Sequence, residues 1–183
     1  MSASRIYMHP KAQAAFDAAC QEADLRPVIT QTLGNAPDSK GVHAKDGAYL
    51  KAGKWHDYCA ALDISVNQLA VKLSTGEKIK MGEKQIKWFL FCLAKHGFVA
   101  WYRYQKAFAT KHIHAIYVAV QMKPALESQV VDFLKDKTGL ASHAQETFWT
   151  ANSDLDQFLA TMFAVSNPEA AKRLPPQYRG VLA

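Results

Sequence analysis

Hydrophobic and polar positions repeat with two periods along the chain, and each period marks a different kind of element. Glu83 to His96, EKQIKWFLFCLAKH, sets Ile86, Phe89, Leu90 and Leu93 at helical spacing, and Gly97 supplies the C-terminal stop. Lys11 to Leu25 predicts a second helix, apolar at Ala14, Ala15, Phe16, Ala18, Ala19 and Leu25 and closed by Pro27. Period-two or continuously apolar runs predict strands at Pro27 to Leu33, Tyr58 to Val66, Phe98 to Tyr104 and His112 to Val120. The last two are joined by the short QKAFATK, which suits antiparallel neighbours.

Between these runs the turn residues take over. Gly34 to Ser39 is loop chemistry, and Gly41 to Trp55, with Asp46-Gly47 and Ala52-Gly53, reads as a loop or irregular hairpin. Pro124 opens a helix running to about Lys137, and Ser153-Asp154 caps another ending near Val165. From Asn167 onward Pro168, Pro175 and Pro176 predict an extended, loosely packed tail. No repeat or low-complexity segment interrupts the pattern. The sum is one α+β domain over 1–183, a small antiparallel sheet flanked by helices.

Composition changes this picture little. The chain has 183 residues, 49% hydrophobic and 21% charged, which is enough apolar surface for one unassisted core. No apolar run reaches the ~18 residues of a membrane span, and MSASRIYMHPKAQ lacks a secretory apolar stretch. A cytoplasmic location without membrane association is the expectation. The net charge of +6 is spread thinly, which makes a nucleic-acid partner unlikely on pattern grounds. Cys20, Cys59 and Cys92 form no C-x-x-C pair, so buried thiols in a reducing compartment are expected.

Three features carry chemistry. His112-Ile113-His114 on a strand sends both imidazoles to one face, because alternate residues share a side of the sheet. Asp63 interrupts an apolar strand and needs a counter-charge, either a metal ion or an arginine such as Arg103. His43 sits in the turn-rich segment just before that strand. His43, Asp63 and His114 together make two nitrogens and one carboxylate, three protein ligands that leave a fourth position for water, as in catalytic zinc sites.

These residues resemble the zinc peptidases that include D-alanyl-D-alanine carboxypeptidases, endolysin peptidases and murein endopeptidases, with the hedgehog signalling domain as a relative. Ala61-Leu62-Asp63 is similar to their A-x-D, and His112-Ile113-His114 to their H-x-H, whose second histidine is the ligand. The resemblance covers roughly 41–120 and implies a hedgehog/DD-peptidase-like fold, a Zn2+ cofactor, and hydrolysis of peptidoglycan-type peptides as carboxypeptidase or endopeptidase. With no secretory stretch, the expectation is either a cytoplasmic substrate or delivery by lysis or by a dedicated secretion system. The family's usual spacing points to His56 as the first ligand, but Cys59 and Lys54 replace the usual turn glycine and serine. An extended run from His56 to Asp63 would span more than about 20 Å, so His56 requires a sharp fold-back. The turns at Asp46-Gly47 and Ala52-Gly53 favour His43, with His56 the alternative.

The resemblance assigns His112 to transition-state support. Several relatives carry a carboxylate three residues before the last ligand, where this chain has Lys111, so the base must come from elsewhere. Glu146 and His112 itself are the candidates, and Arg103 is a candidate for holding a substrate carboxylate. Lacking that carboxylate, a non-catalytic zinc-binding interaction module of the same fold is the alternative expectation.

Overall fold

The computed structural model describes residues 7–31, 45–104 and 110–179. In chain order the elements are β1 (Tyr7–Met8), α1 (Pro10–Ala23), β2 (Ile29–Gln31), β3 (Gly47–Lys51), β4 (Lys54–Cys59), β5 (Ala61–Ser65), β6 (Ala70–Val71), β7 (Lys78–Ile79) and α2 (Glu83–Lys95). After them come β8 (Phe98–Arg103), β9 (His112–Tyr117), α3 (Pro124–Phe133), α4 (Ser153–Ser166), α5 (Pro168–Ala171) and α6 (Pro176–Arg179). The class is mixed α+β. The strands form three sheets, ordered β1-β4-β3, β2-β5-β9-β8 and β6-β7.

The four-stranded sheet organises the core, and all of its pairings are antiparallel. Leu62, Ile64, Ile113, Ala115, Phe98 and Ala100 alternate onto one face, where Phe98 meets Phe16 of α1 edge to face. α2 packs against β8, α1 and α4, burying Ile86, Phe89, Leu90 and Leu93 as its periodicity predicts. The opposite face carries Asp63, Ser65, His112, His114, Trp101 and Arg103. This second face is the one of functional interest.

The run from Tyr58 to Val66 is not one strand. It breaks at Ala60, with β4 in the three-stranded sheet and β5 in the four-stranded one. Asp46 fixes the break: its Oδ2 accepts from the Ala60 amide at 2.8 Å and its Oδ1 from the Lys123 amide at 3.1 Å. Tyr58 ties in the same region by donating its hydroxyl to the Gln121 carbonyl at 2.9 Å. The Gly41–Trp55 expectation resolves, over its described part, into a regular hairpin of β3 and β4 turning at Ala52 and Gly53, both with positive φ.

Two other boundaries differ from the sequence expectation. α3 ends at Phe133 rather than near Lys137, and Lys137 instead bridges Gln145 across a compact loop. The tail is not loose. Pro168 and Pro176 each open a helical turn, a position where a missing amide hydrogen costs nothing, and Ala170, Ala171 and Leu174 are buried. The three cysteines are free and buried, with burial pushing Cys20 up to about 12 and Cys92 up to about 11. No helix among the described residues is long and apolar enough to cross a membrane.

Asp156, in the first turns of α4, is a buried acid whose burial, with the charge of Asp136, raises its pKa to about 6. Its Oδ1 makes no hydrogen bond among the described residues. The folded state therefore holds this proton more tightly than the unfolded chain does. Its stabilising contribution is full below the ordinary value of 3.8 and is lost as pH rises through about 6. Asp156→Asn is expected to raise the melting temperature at pH 7.5 by a few degrees and to leave it nearly unchanged at pH 4, as thermal denaturation followed by circular dichroism will show.

Candidate functional site

Antiparallel register brings the two central residues together. Asp63 on β5 pairs directly with His114 on β9, and His114 pairs in turn with Trp101 on β8. One step along, Ser65, His112 and Arg103 form the next row on the same face. Because side chains two residues apart share a face, His112 and His114 both project beside Asp63.

His114 Nδ1 lies 2.8 Å from Asp63 Oδ1, a hydrogen bond in which the imidazole donates. The His114 side chain is 6% exposed and that of Asp63 13%, so the contact is largely screened from water. Trp101 stacks on the His114 ring with centroids 6.0 Å apart at 25° and fixes its plane. His112 is oriented differently. Its Nδ1 donates to the Thr110 carbonyl at 2.8 Å, which in the neutral ring leaves the lone pair on Nε2, 3.9 Å from Asp63 Oδ1. Asn67 supports the start of this strand by donating to the Lys111 carbonyl at 3.2 Å.

Arg103 is 2% exposed. It donates to the Thr138 carbonyl and lies 4.9 Å over the Trp101 ring. Burial pulls its pKa down to about 10, against the opposing pull of Glu146 and Asp63, so the guanidinium stays charged at neutral pH. Arg103, the sequence candidate for holding a substrate carboxylate, is thus buried in the fold. A side chain this enclosed offers almost no surface to a substrate, and its field acts on Glu146 and Asp63 instead.

Glu146 is 8% exposed and belongs to the loop that follows α3. Its Oε1 accepts from the amides of Thr147 and Phe148, both at 2.8 Å, while Oε2 is buried with no hydrogen bond among the described residues. Trp101 Nε1 donates to the Lys137 carbonyl at 2.9 Å and helps fasten this loop over the sheet. Gly139 makes the fastening possible: its φ is +63°, and a Cβ there would come within 2.9 Å of the Trp101 ring.

His56 stands apart from the cluster. It lies in the three-stranded sheet, its ring stacked on Tyr49 at 5.5 Å and edge-on to Tyr7 at 6.1 Å. His43 lies outside the described residues. Both described ends of its segment nevertheless flank β5: Gln31 pairs with Asp63, and Asp46 bonds to Ala60.

Among the described residues no three His, Cys, Asp or Glu side chains gather with metal-binding geometry. The pair of Asp63 and His114 fits two corners of a tetrahedral zinc site, whose neighbouring ligand atoms lie about 3.3 Å apart at bond lengths near 2.0 Å. The observed 2.8 Å is the shorter spacing of a hydrogen bond, so accepting a cation requires a small opening and transfer of the Nδ1 proton.

Sequence reasoning missed the Asp132–His143 pair, with Nδ1 to Oδ2 at 2.7 Å, because its partners meet only through the loop after α3. Trp101 is a core residue that also lies against His114. Its contact with His114 follows from strand register, which no local pattern reveals. Comparison with models of known families, with curated proteins and with solved structures finds no match.

Proposed function

We propose that the chain is a zinc-dependent peptidase of hedgehog/DD-peptidase-like fold, acting on short peptides of the peptidoglycan type as carboxypeptidase or endopeptidase. The observation that carries this reading is the direct pairing of Asp63 with His114, an acid and an imidazole 51 residues apart in sequence, in contact on the central sheet with His112 beside them. The pair fits the cation, and His43 is the proposed third ligand, with His56 the alternative. The peptidoglycan class comes from the sequence resemblance, and the metal chemistry from the donor set.

Asp63 and His114 would hold a zinc ion, which would supply Lewis acidity toward a peptide carbonyl and a bound water. The chain's own groups do the rest. Glu146 has one oxygen held by two amides and a second without a hydrogen bond among the described residues, which suits a proton acceptor with a fixed orientation. Arg103 places a positive charge near both Glu146 and Asp63. His112, its Nδ1 hydrogen committed to Thr110, offers Nε2 beside Asp63 and, when protonated, stabilises negative charge developing on the carbonyl oxygen.

Incubating purified protein with muropeptides, with zinc and with a chelator, tests the reading by chromatography of the products. Cleavage that the chelator abolishes and added zinc restores is the expected result. Stoichiometric zinc uptake without product identifies a non-catalytic zinc-binding module instead, and neither uptake nor cleavage removes both readings.

A further inference from the structure

Beyond the edge of β8, on the face opposite Asp63 and His114, lies a groove of about 480 Å³ between the start of α2 and the turn that follows Glu146. Its wall is aromatic. The Phe148 ring is 4.8 Å from Tyr102 and 5.8 Å from Tyr104, and the two tyrosine rings are 5.4 Å apart. Tyr104 remains 38% exposed, so this surface is only partly covered by the chain itself. Two ammonium groups line the groove: Lys87, with Nζ 5.0 Å over the Phe148 ring, and Lys111. Glu83 at the same rim is paired with Lys87 at 2.7 Å, whereas Lys111 has no ion-pair partner among the described residues. The hydroxyls of Tyr104 and Thr147, 3.4 Å apart, add donors and acceptors.

We propose that this groove binds an acidic peptide segment, with one apolar or aromatic side chain lying on the Tyr104–Phe148 wall and a neighbouring carboxylate meeting Lys111 and Lys87. Covering exposed aromatic faces supplies the affinity, and the lysines set the sign of the ligand's charge. The volume suits a few residues of peptide. Position ties the groove to the candidate site: Lys111 immediately precedes His112, and Tyr102 and Tyr104 flank Arg103. One turn serves both sides, since Glu146 accepts from the amides of Thr147 and Phe148 while Phe148 forms the groove wall. The choice of a peptide rests on the peptidase reading above; the demand for apolar and anionic groups together rests on the groove.

Fluorescence anisotropy with a labelled hexapeptide of alternating Glu and Phe tests this, read on zinc-loaded and on chelator-treated protein. Saturable binding is expected in both, weakened by salt, and reduced about tenfold or more for Lys–Phe and Glu–Ala counterparts. Lys111→Glu, at an exposed position, is expected to weaken the Glu–Phe peptide about tenfold or more with an unchanged melting temperature, and Phe148→Ala to weaken it by a similar factor through loss of the aromatic wall. Absent binding, equal binding of the Lys–Phe peptide, an unaffected Lys111→Glu protein, or tighter binding of a single-stranded oligonucleotide each overturns the proposal. The two readings fail separately. Glu–Phe binding by a protein that takes up no zinc keeps an acidic-peptide groove and removes the peptidase; zinc-dependent cleavage without Glu–Phe binding removes the groove.

Discussion

Asp63→Ala is expected to lose bound zinc and to lower kcat/KM on a cleaved muropeptide by about a thousandfold or more, while the protein stays folded. The two effects separate because of what Asp63 touches. Its Oδ1 accepts from His114 Nδ1 at 2.8 Å, and the substitution removes that hydrogen bond. The cost to stability is therefore about 1.5–3 kcal/mol, the range of one hydrogen bond to a charged group. Asp63→Asn is the sharper form of the test. The amide oxygen can still accept from Nδ1 and preserve the fold, yet it is a much poorer zinc ligand than a carboxylate. Zinc content by mass spectrometry beside a thermal melt distinguishes loss of metal from loss of structure. A purely structural Asp63 would show the reverse, a lower melting temperature with activity per folded molecule intact.

Trp101→Ala is expected to be the most damaging single substitution for stability, about 3–5 kcal/mol, read as a drop of roughly 10 °C in melting temperature. Trp101 is 1% exposed and stands where four features meet. It stacks on His114, meets Phe133 of α3 edge to face at 5.3 Å, carries the Arg103 guanidinium over its ring, and donates to the Lys137 carbonyl. Truncation opens a cavity, orphans that carbonyl and frees the loop bearing Glu146. Trp101→Phe keeps most of the volume and loses the hydrogen bond, so a drop of about one third as much is expected. Differential scanning calorimetry of both variants checks the order. Equal losses would mean that the indole nitrogen, not the packing, holds the loop.

How much of this was legible in the sequence depended on the range of the forces involved. α2 declares itself because its periodicity is a direct record of one buried face, and the β8–β9 pair because both strands are almost continuously apolar and buried on both faces. The H-x-H on β9 was informative for the same reason: two-residue alternation fixes its face without knowledge of any partner. Tyr58 to Val66 misled because both halves are apolar, and the residue that bends it, Asp46, acts from outside the run by capturing the Ala60 amide. The tail misled because proline reads as a breaker, although at the first position of a turn it is a starter. β1, β6 and β7, two residues each, carry too few side chains for any period to register.

At the site the limits were similar. Asp63 needed a buried partner, and the sequence offered a metal or Arg103; strand register supplies His114 directly. That Arg103 is enclosed rather than exposed depends on Thr138 and Trp101, residues joined to it only by the path of the loop after α3. His56 was attractive on spacing alone. Spacing fails there because β4 leaves for another sheet and takes His56 with it, against Tyr49.

The most direct test is anomalous diffraction at the zinc edge from crystals of the zinc-loaded protein. A single peak about 2.0–2.2 Å from both His114 Nδ1 and the Asp63 carboxylate, with His43 as a third ligand, is the predicted result. A peak at any other place, or an unbroken Nδ1–H to Oδ1 hydrogen bond under saturating zinc, would contradict it.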